Sequence, residues 1–365
     1  MKKSLFILAT AAIALASCNN DVKIAENKTL GNNPQEITFI SLAQKTARIA
    51  PARAIVTGTT FPNNQEMYVT AYNTATTKDY FTNITFNGDN TNYWKGDPKQ
   101  YWPLSPTTLN FIGVTGVPKV NITWNTPTAS SGASITWTHN ATLADPSGMY
   151  DLMYATGQGT VAYGEGAAAN QLIYGNNVAM QYKHALAQIA FRVKAGDASY
   201  ASVIKIKKIA LDNMVTSATY TLANSENYDN VAPAAQSASG VWASTTTADT
   251  DVPGSNALAS TDLTTSFVND GAVVVPCKDA APTFNSFAGF KVYFTMNGSD
   301  MVYQYTPSDA EKVLTQGKKY IFDLTFKLTE IIIQPTVLDW VDNDFDGSTE
   351  GTQNKEVDIP ETPAP

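Results

Sequence analysis

From residue 36 to residue 340 the chain is a succession of short stretches in which apolar and polar residues alternate, cut by Gly, Pro, Asn and Asp. Alternation with a period of two puts one set of side chains on one face of an extended backbone, so each stretch predicts a half-buried strand. Examples are "EITFIS" (36–41), "EMYVTAY" (66–72), "DYFTNITF" (79–86), "TLNFIGV" (108–114), "FKVYFTM" (290–296) and "KYIFDLTFKLTEIIIQPTVLDW" (319–340). In "SVIKIKKIAL" (202–211) the same rule places Lys205 and Lys207 on the wet face. Strands at this spacing bury their apolar faces by packing sheet on sheet, which makes the fold class all-β and built of β-sandwiches.

One segment breaks the pattern. "PSDAEKVLTQGKKY" sets Ser308 three residues before Glu311, a capping box, with Gly317 in the C′ position, and predicts one short helix covering a sheet edge. Residues 224–262 hold few large apolar side chains and are expected as a surface excursion. The apolar run 178–195 reads as two strands meeting at "HALA", and the boundary between two domains is placed there, giving residues 54–182 and 183–345. Residues 346–365 form an acidic, Pro-rich tail, expected to be mobile.

The N-terminus carries an address. "MKKSLFILATAAIALASC" has a basic start, a short apolar core and a run of small residues ending at Cys18. It is too short to span a bilayer and has signal-peptide anatomy over residues 1–17. "LASC" resembles a bacterial lipobox, in which the cysteine is acylated and becomes the new N-terminus, here Cys18. The other cysteine is Cys277, so the processed chain has no free pair for a disulfide, and burial must stabilise it. The net charge of −8 comes with no basic stripe, which argues against nucleic acid as a partner.

Chemistry-bearing motifs are sparse. The two histidines, His139 and His184, have no cysteine partner at zinc spacing. Asp342, Asp344 and Asp346 followed by Gly347 resemble the start of a calcium loop. Position twelve is Gln353 where a bidentate Glu is required, so the stretch reads as a solvated acidic turn. No hydrolase, zinc-protease or phosphate-loop motif is present, and the chain is read as a non-enzyme needing no cofactor. Trp94 and Trp242, in loop-like contexts, are candidate sugar platforms.

Several blocks together resemble the fimbrillin family of pilus-subunit lipoproteins. They are "LASC", "ITF" before an arginine-bearing linker, "TFPNNQEMYVTAY", "YWPLSPTTLNF", "DLMYA", "HALAQIAFRVKAG" and "GKKYIFDLTF…VLDW". The resemblance implies two tandem transthyretin-like sandwiches, export as a lipoprotein to the outer membrane, and incorporation into an extracellular fimbrium. It also implies that an arginine-specific protease removes the N-terminal segment with its first strand. A strand from a neighbouring subunit then fills the groove.

In this sequence the removable strand lies in a propeptide of residues 18–53. Ile37 and Phe39 are on one face of it, Ile40 and Leu42 on the other. The cut falls after Arg53 or Arg48; Arg53 is preferred because Pro51 stiffens the chain after Arg48. The candidate donor strand carries Ile331, Ile333 and Val337, and "KEVDIP" (355–360) is a weaker alternating stretch beyond it. Partners implied are other pilus subunits, the protease and the membrane, with host or bacterial surface ligands beyond them. Stalk, tip, minor and anchor roles stay open. The alternative function is a surface glycan-binding lipoprotein that does not polymerise.

Overall fold

The computed structural model describes residues 28–30, 35–43, 66–88, 93–124, 133–139, 150–165, 171–175, 178–222, 240–252, 255, 267–274, 287–308, 311–339 and 355–358. Strands β1 (Lys28–Leu30) and β2 (Thr38–Ala43) lie upstream of the arginine pair. Next come β3 (Glu66–Asn73), β4 (Lys78–Gly88), β5 (Tyr93–Asp97) and β6 (Thr107–Thr115). Then follow β7 (Ile122–Trp124), β8 (Ala133–Thr138), β9 (Met153–Tyr163), β10 (Leu172–Gly175), β11 (Val178–His184) and β12 (Ala187–Ala195). The 19-residue β13 (Ile204–Leu222) leads to β14 (Gly240–Asp251), β15 (Phe267–Val274), β16 (Phe290–Met296) and β17 (Ser299–Tyr305). The last are β18 (Lys318–Phe326), β19 (Glu330–Asp339) and β20 (Lys355–Asp358).

Nine strands form the first sheet, in the order β1-β10-β9-β11-β2-β5-β4-β3-β6, and β6 also pairs with β9. That extra pairing curls the sheet back on itself. Seven strands, β9-β11-β2-β5-β4-β3-β6, close a ring, with β10 and β1 continuing outward from β9. The inward positions make its core: Ile37, Phe39, Met67, Val69, Phe86, Trp94, Trp102, Phe111 and Met180, among others. Closure demands close approach at two glycines. A Cβ on Gly159 would stand 2.3 Å from the Trp102 ring, and one on Gly113 would stand 2.1 Å from the Tyr182 hydroxyl, so no side chain fits at either.

The remaining strands make two facing sheets, β15-β12-β18-β19-β20 and β17-β16-β13-β8-β7, with β14 alongside β13. Aromatic contacts fill the space between them. Phe191 of β12 meets Phe290 of β16 edge-on at 4.9 Å, and Phe294 of β16 meets Phe326 of β18 at 5.1 Å. β13 pairs with β16 through its first half and with β8 through its second. The hairpin β7–β8 precedes residue 183, so this sheet draws strands from both sides of the expected boundary. Tyr68, Ile112, Val114 and Tyr154, on strands of the ring, join the core of the two-sheet region.

Two expectations change. The short covering helix is absent: among the described residues there is no α-helix, and two single-turn 3-10 segments are the helical elements. Half of the capping box forms. The Glu311 carboxylate accepts from the Ser308 amide at 2.7 Å and from its hydroxyl at 2.6 Å, and the Lys312 amide closes one turn on the Ser308 carbonyl at 3.1 Å. Propagation fails because the next amides find better partners. Thr315 donates to the Tyr320 hydroxyl at 2.6 Å and Gly317 to the Leu186 carbonyl at 2.8 Å, which draws the segment down onto β18. The second change falls in residues 224–262, where β14 pairs with ten positions of β13. Its Thr, Ser and Ala side chains carry no strong alternation, so pairing with a long neighbour decides the conformation there.

Candidate functional site

β2 occupies a slot between two strands that belong to the body of the ring. On one side it runs parallel to β11, with Phe39 opposite Val178 and Ala43 opposite Tyr182. On the other it runs antiparallel to β5, with Thr38 opposite Lys95, Phe39 opposite Trp94 and Ile40 opposite Tyr93. The pairing continues past the end of β5. Glu36 bridges to Tyr101, the Ile37 amide donates to the Gln100 carbonyl at 2.8 Å, and the Trp102 amide donates to the Gln35 carbonyl at 2.8 Å.

Alternation decides which side chains enter the core. Ile37 and Phe39 are fully buried, while Thr38 and Ile40 are half-buried on the outer face. The Phe39 ring meets Phe86 edge-on at 4.7 Å and Phe111 at 5.1 Å, and Phe111 in turn meets Trp102 at 5.9 Å. Burying two such side chains contributes about 3–6 kcal/mol. Emptying the slot would expose that apolar trough and two unpaired backbone ladders, the features a strand-adding site needs.

Charge marks one margin of the slot. The Lys99 ammonium lies 3.2 Å from Glu36 Oε2, while Glu36 Oε1 is buried without a hydrogen-bond partner among the described groups. Lys95, exposed on β5, stands opposite Thr38. The lysines therefore face two successive outward positions of the inserted strand, 36 and 38. Sequence reading missed both lysines and the parallel partner β11. The strand order that brings them to the slot is non-local, and only the like apolar character of "EITFIS" and "VAMQY" hints at the pairing.

The other candidates separate. Ile331 and Ile333, the candidate donor residues, are fully buried in their own sandwich, whereas Val337 is half exposed. β19 is paired with β18 from Ile331 to Asp339 and with β20 over Glu330–Ile333. Cys18, Arg48, Arg53, Asp342, Asp344 and Asp346 lie outside the described residues, as does the side chain of Leu42. Trp94 is 4% exposed and forms part of the ring core, so it offers no sugar platform; the side chain of Trp242 is outside the described residues. Among the described residues no three acids, histidines or cysteines converge on a metal site, and no helix is long and apolar enough to cross a membrane.

Both histidines are buried. His184 Nδ1 lies 2.9 Å from Asp151 Oδ1, both buried, beside the bond from the Ala185 amide to the Leu152 carbonyl at 2.8 Å. This contact fastens the link between β11 and β12. His139 is buried at the end of β8, its Nε2 without a partner among the described groups, and burial lowers its pKa to about 4.

A strand-closed ring joined to a two-sheet body defines an all-β protein. The fimbrillin-like family matches residues 52–340, more than half of the chain, and the chain belongs to that family. Membership supports a pilus or adhesin subunit acting at the cell surface, with a structural and not an enzymatic role. Among solved structures, the chain is similar to a candidate cell adhesion protein from Bacteroides uniformis (14% identity, TM-score 0.51, covering 84% of this chain and 99% of that one). A second, from Bacteroides ovatus, has 12% identity and TM-score 0.50, covering 86% and 100% respectively. A fimbrial protein from Bacteroides vulgatus shares 14% identity at TM-score 0.49, covering 84% and 100%. At these identities the first two support the shared fold alone. No curated protein matches the sequence.

Proposed function

We propose that this chain is a fimbrial subunit exported as a lipoprotein on Cys18, matured by cleavage after Arg53 and polymerised by strand exchange into the slot of β2. Arg48 is the second cleavage site. The lipid holds the precursor at the outer membrane, and the cut releases residues 18–53 with β1 and β2. The body that remains comprises the two proposed domains, 54–182 and 183–345, the β7–β8 hairpin of the first completing a sheet of the second. A strand from a neighbouring subunit then restores the ring and joins it to the extracellular fimbrium.

One observation carries this reading: a strand encoded upstream of both arginines is a stave of the otherwise closed ring, with backbone partners on both sides. A free end segment tied in at the middle of a sheet leaves a reusable slot when it goes. The buried state of Ile331 and Ile333 argues against β19 as the donor, because pulling it out would empty its own core. The test is treatment of the purified chain with an arginine-specific protease, followed by N-terminal sequencing and size analysis. A new N-terminus at Ala54 or Ile49 and growth of oligomers are expected; an intact chain, or a cut chain that stays monomeric at every concentration, would falsify the reading.

A further inference from the structure

We propose that Arg192 makes the arginine-specific protease a check on folding: a folded chain is cut in its linker alone, and an unfolded chain is also cut after Arg192 and lost to assembly. This rests on the maturation reading above. Of the 24 basic residues three are arginines, Arg48, Arg53 and Arg192, so Arg192 is the one arginine left in the body that maturation releases. The other basic residues of that body are lysines, which an enzyme specific for arginine passes over. Survival of the released body in the presence of its own maturation enzyme therefore depends on one peptide bond, between Arg192 and Val193.

The fold shields that bond in two ways. Arg192 lies in β12, a strand with neighbours on both sides, where it stands opposite Val268 of β15 and Asp323 of β18. A protease takes in an extended, unpaired segment, and here both backbone ladders are occupied. The flanking residues Phe191 and Val193 are fully buried, and Phe191 meets Phe290 of the facing sheet at 4.9 Å. Feeding β12 into an active site therefore requires the two sheets to part, which is unfolding of the body and not local fraying. The side chain is engaged as well. The Arg192 guanidinium donates through Nε and Nη2 to the two carboxylate oxygens of Asp323, a bidentate pair that a specificity pocket would have to break. That pair is a structural reason for arginine over lysine at 192, and the same choice leaves one bond in the body that the enzyme can read. Once the body opens, water cleaves the amide, its hydroxyl going to the Arg192 carbonyl carbon and its proton to the Val193 nitrogen. All nine strands of the ring's sheet precede that bond and β13 to β20 follow it, so one cut leaves two pieces, neither a complete subunit.

The experiment exposes full chains to an arginine-specific protease and identifies each new N-terminus by mass spectrometry. Three chains are compared: the natural sequence, Phe294→Ala, and Phe294→Ala combined with Arg192→Lys. Phe294 is fully buried against Phe326 and lies outside β12, so its truncation weakens the body and leaves the cleavage sequence intact. In native buffer the natural chain is expected to be cut in the linker alone. From Phe294→Ala a fragment beginning at Val193 should appear about a hundredfold faster or more, since cleavage follows the population of the opened form. Arg192→Lys should remove that fragment while the unfolding midpoint stays low, which a merely structural role for Arg192 cannot produce. If Phe294→Ala does not fold, short pulses of protease on the natural chain across its urea transition take its place, and the Val193 fragment should follow the loss of structure. Equal rates of cutting after Arg192 in folded and destabilised chains, or no cutting there in unfolded chains, overturns the proposal. A linker left intact in every chain, with Arg192 cut on unfolding, overturns the maturation reading and leaves the shielding of Arg192 standing.

Discussion

The ring and the two-sheet body are built from the same kind of alternating strand, yet they handle their margins in opposite ways. In the ring each of the seven strands has a neighbour on both sides, because β6 pairs back to β9. The two-sheet body ends in strands such as β17, β15 and β20, each paired along one side. Loss of an edge strand there removes one ladder and little core. Loss of β2 from the ring breaks two ladders and uncovers the place of Ile37 and Phe39. β2 thus sits where removal matters most, and β20 where release is easiest.

The largest expected effect breaks or sharpens this contrast directly. Phe39→Ala should lower the stability of the uncut chain by about 3–5 kcal/mol, since it empties an aromatic site between Phe86 and Phe111. In the cut chain freed of its N-terminal segment the substitution should have no effect, because residue 39 has gone. Phe191→Ala, in the packed middle of the two-sheet body, should destabilise cut and uncut chains alike by a similar amount. Urea unfolding of both forms checks this. Equal sensitivity to Phe39→Ala before and after removal of the segment would show that the slot is not built as described.

Acid should act on the two-sheet side. Burial holds His139 at about 4, below the ordinary histidine value near 6.5, so the unfolded chain takes up a proton that the folded chain refuses between those limits. Stability therefore rises with pH across that window and is lost as pH falls from about 6.5 to about 4, by about 3 kcal/mol in all. His139→Gln should flatten that segment of the pH profile, measured by thermal unfolding in a series of buffers. A profile of unchanged steepness would assign the acid sensitivity elsewhere.

Next in size is a test of ring closure. Gly159→Ala pushes a methyl group toward the buried Trp102 ring and should cost about 1–3 kcal/mol, read as a lowered unfolding midpoint. The substitution touches only the ring, so contacts such as Phe294 on Phe326 should stay intact and near-UV signals from the two-sheet body should persist.

Much of this architecture was legible in the residues, and the reasons differ from place to place. The inward set of β2 followed from alternation, since Ile37 and Phe39 share a parity and both are buried. The capping box was legible as a turn, but not its failure to propagate, which depends on Tyr320 and Leu186 as distant partners. β14 was illegible because its side chains have no pattern, and β13 alone makes it a strand. Trp94 misled because "TNYWKGDP" has a turn-like composition, while register with Phe39 turns the indole inward. The lysine margin of the slot needed the strand order, which no local pattern carries.

The smallest effect concerns the other end of the chain. Ending the protein after Asn354 removes β20, four paired positions along one side of β19. Ile331 and Ile333 keep their seats against β18, so the unfolding free energy should fall by no more than about 1–2 kcal/mol. If residues 355–360, the weaker of the two alternating stretches considered as donor, supply the exchanged strand, the same truncation should abolish assembly of cut chains. Stability and assembly are then separated by one variant, compared in urea unfolding and in light scattering after cleavage. A truncated chain that still polymerises would move the donor to another segment; one that fails to fold would give β20 a structural weight that an edge strand of this length should not have.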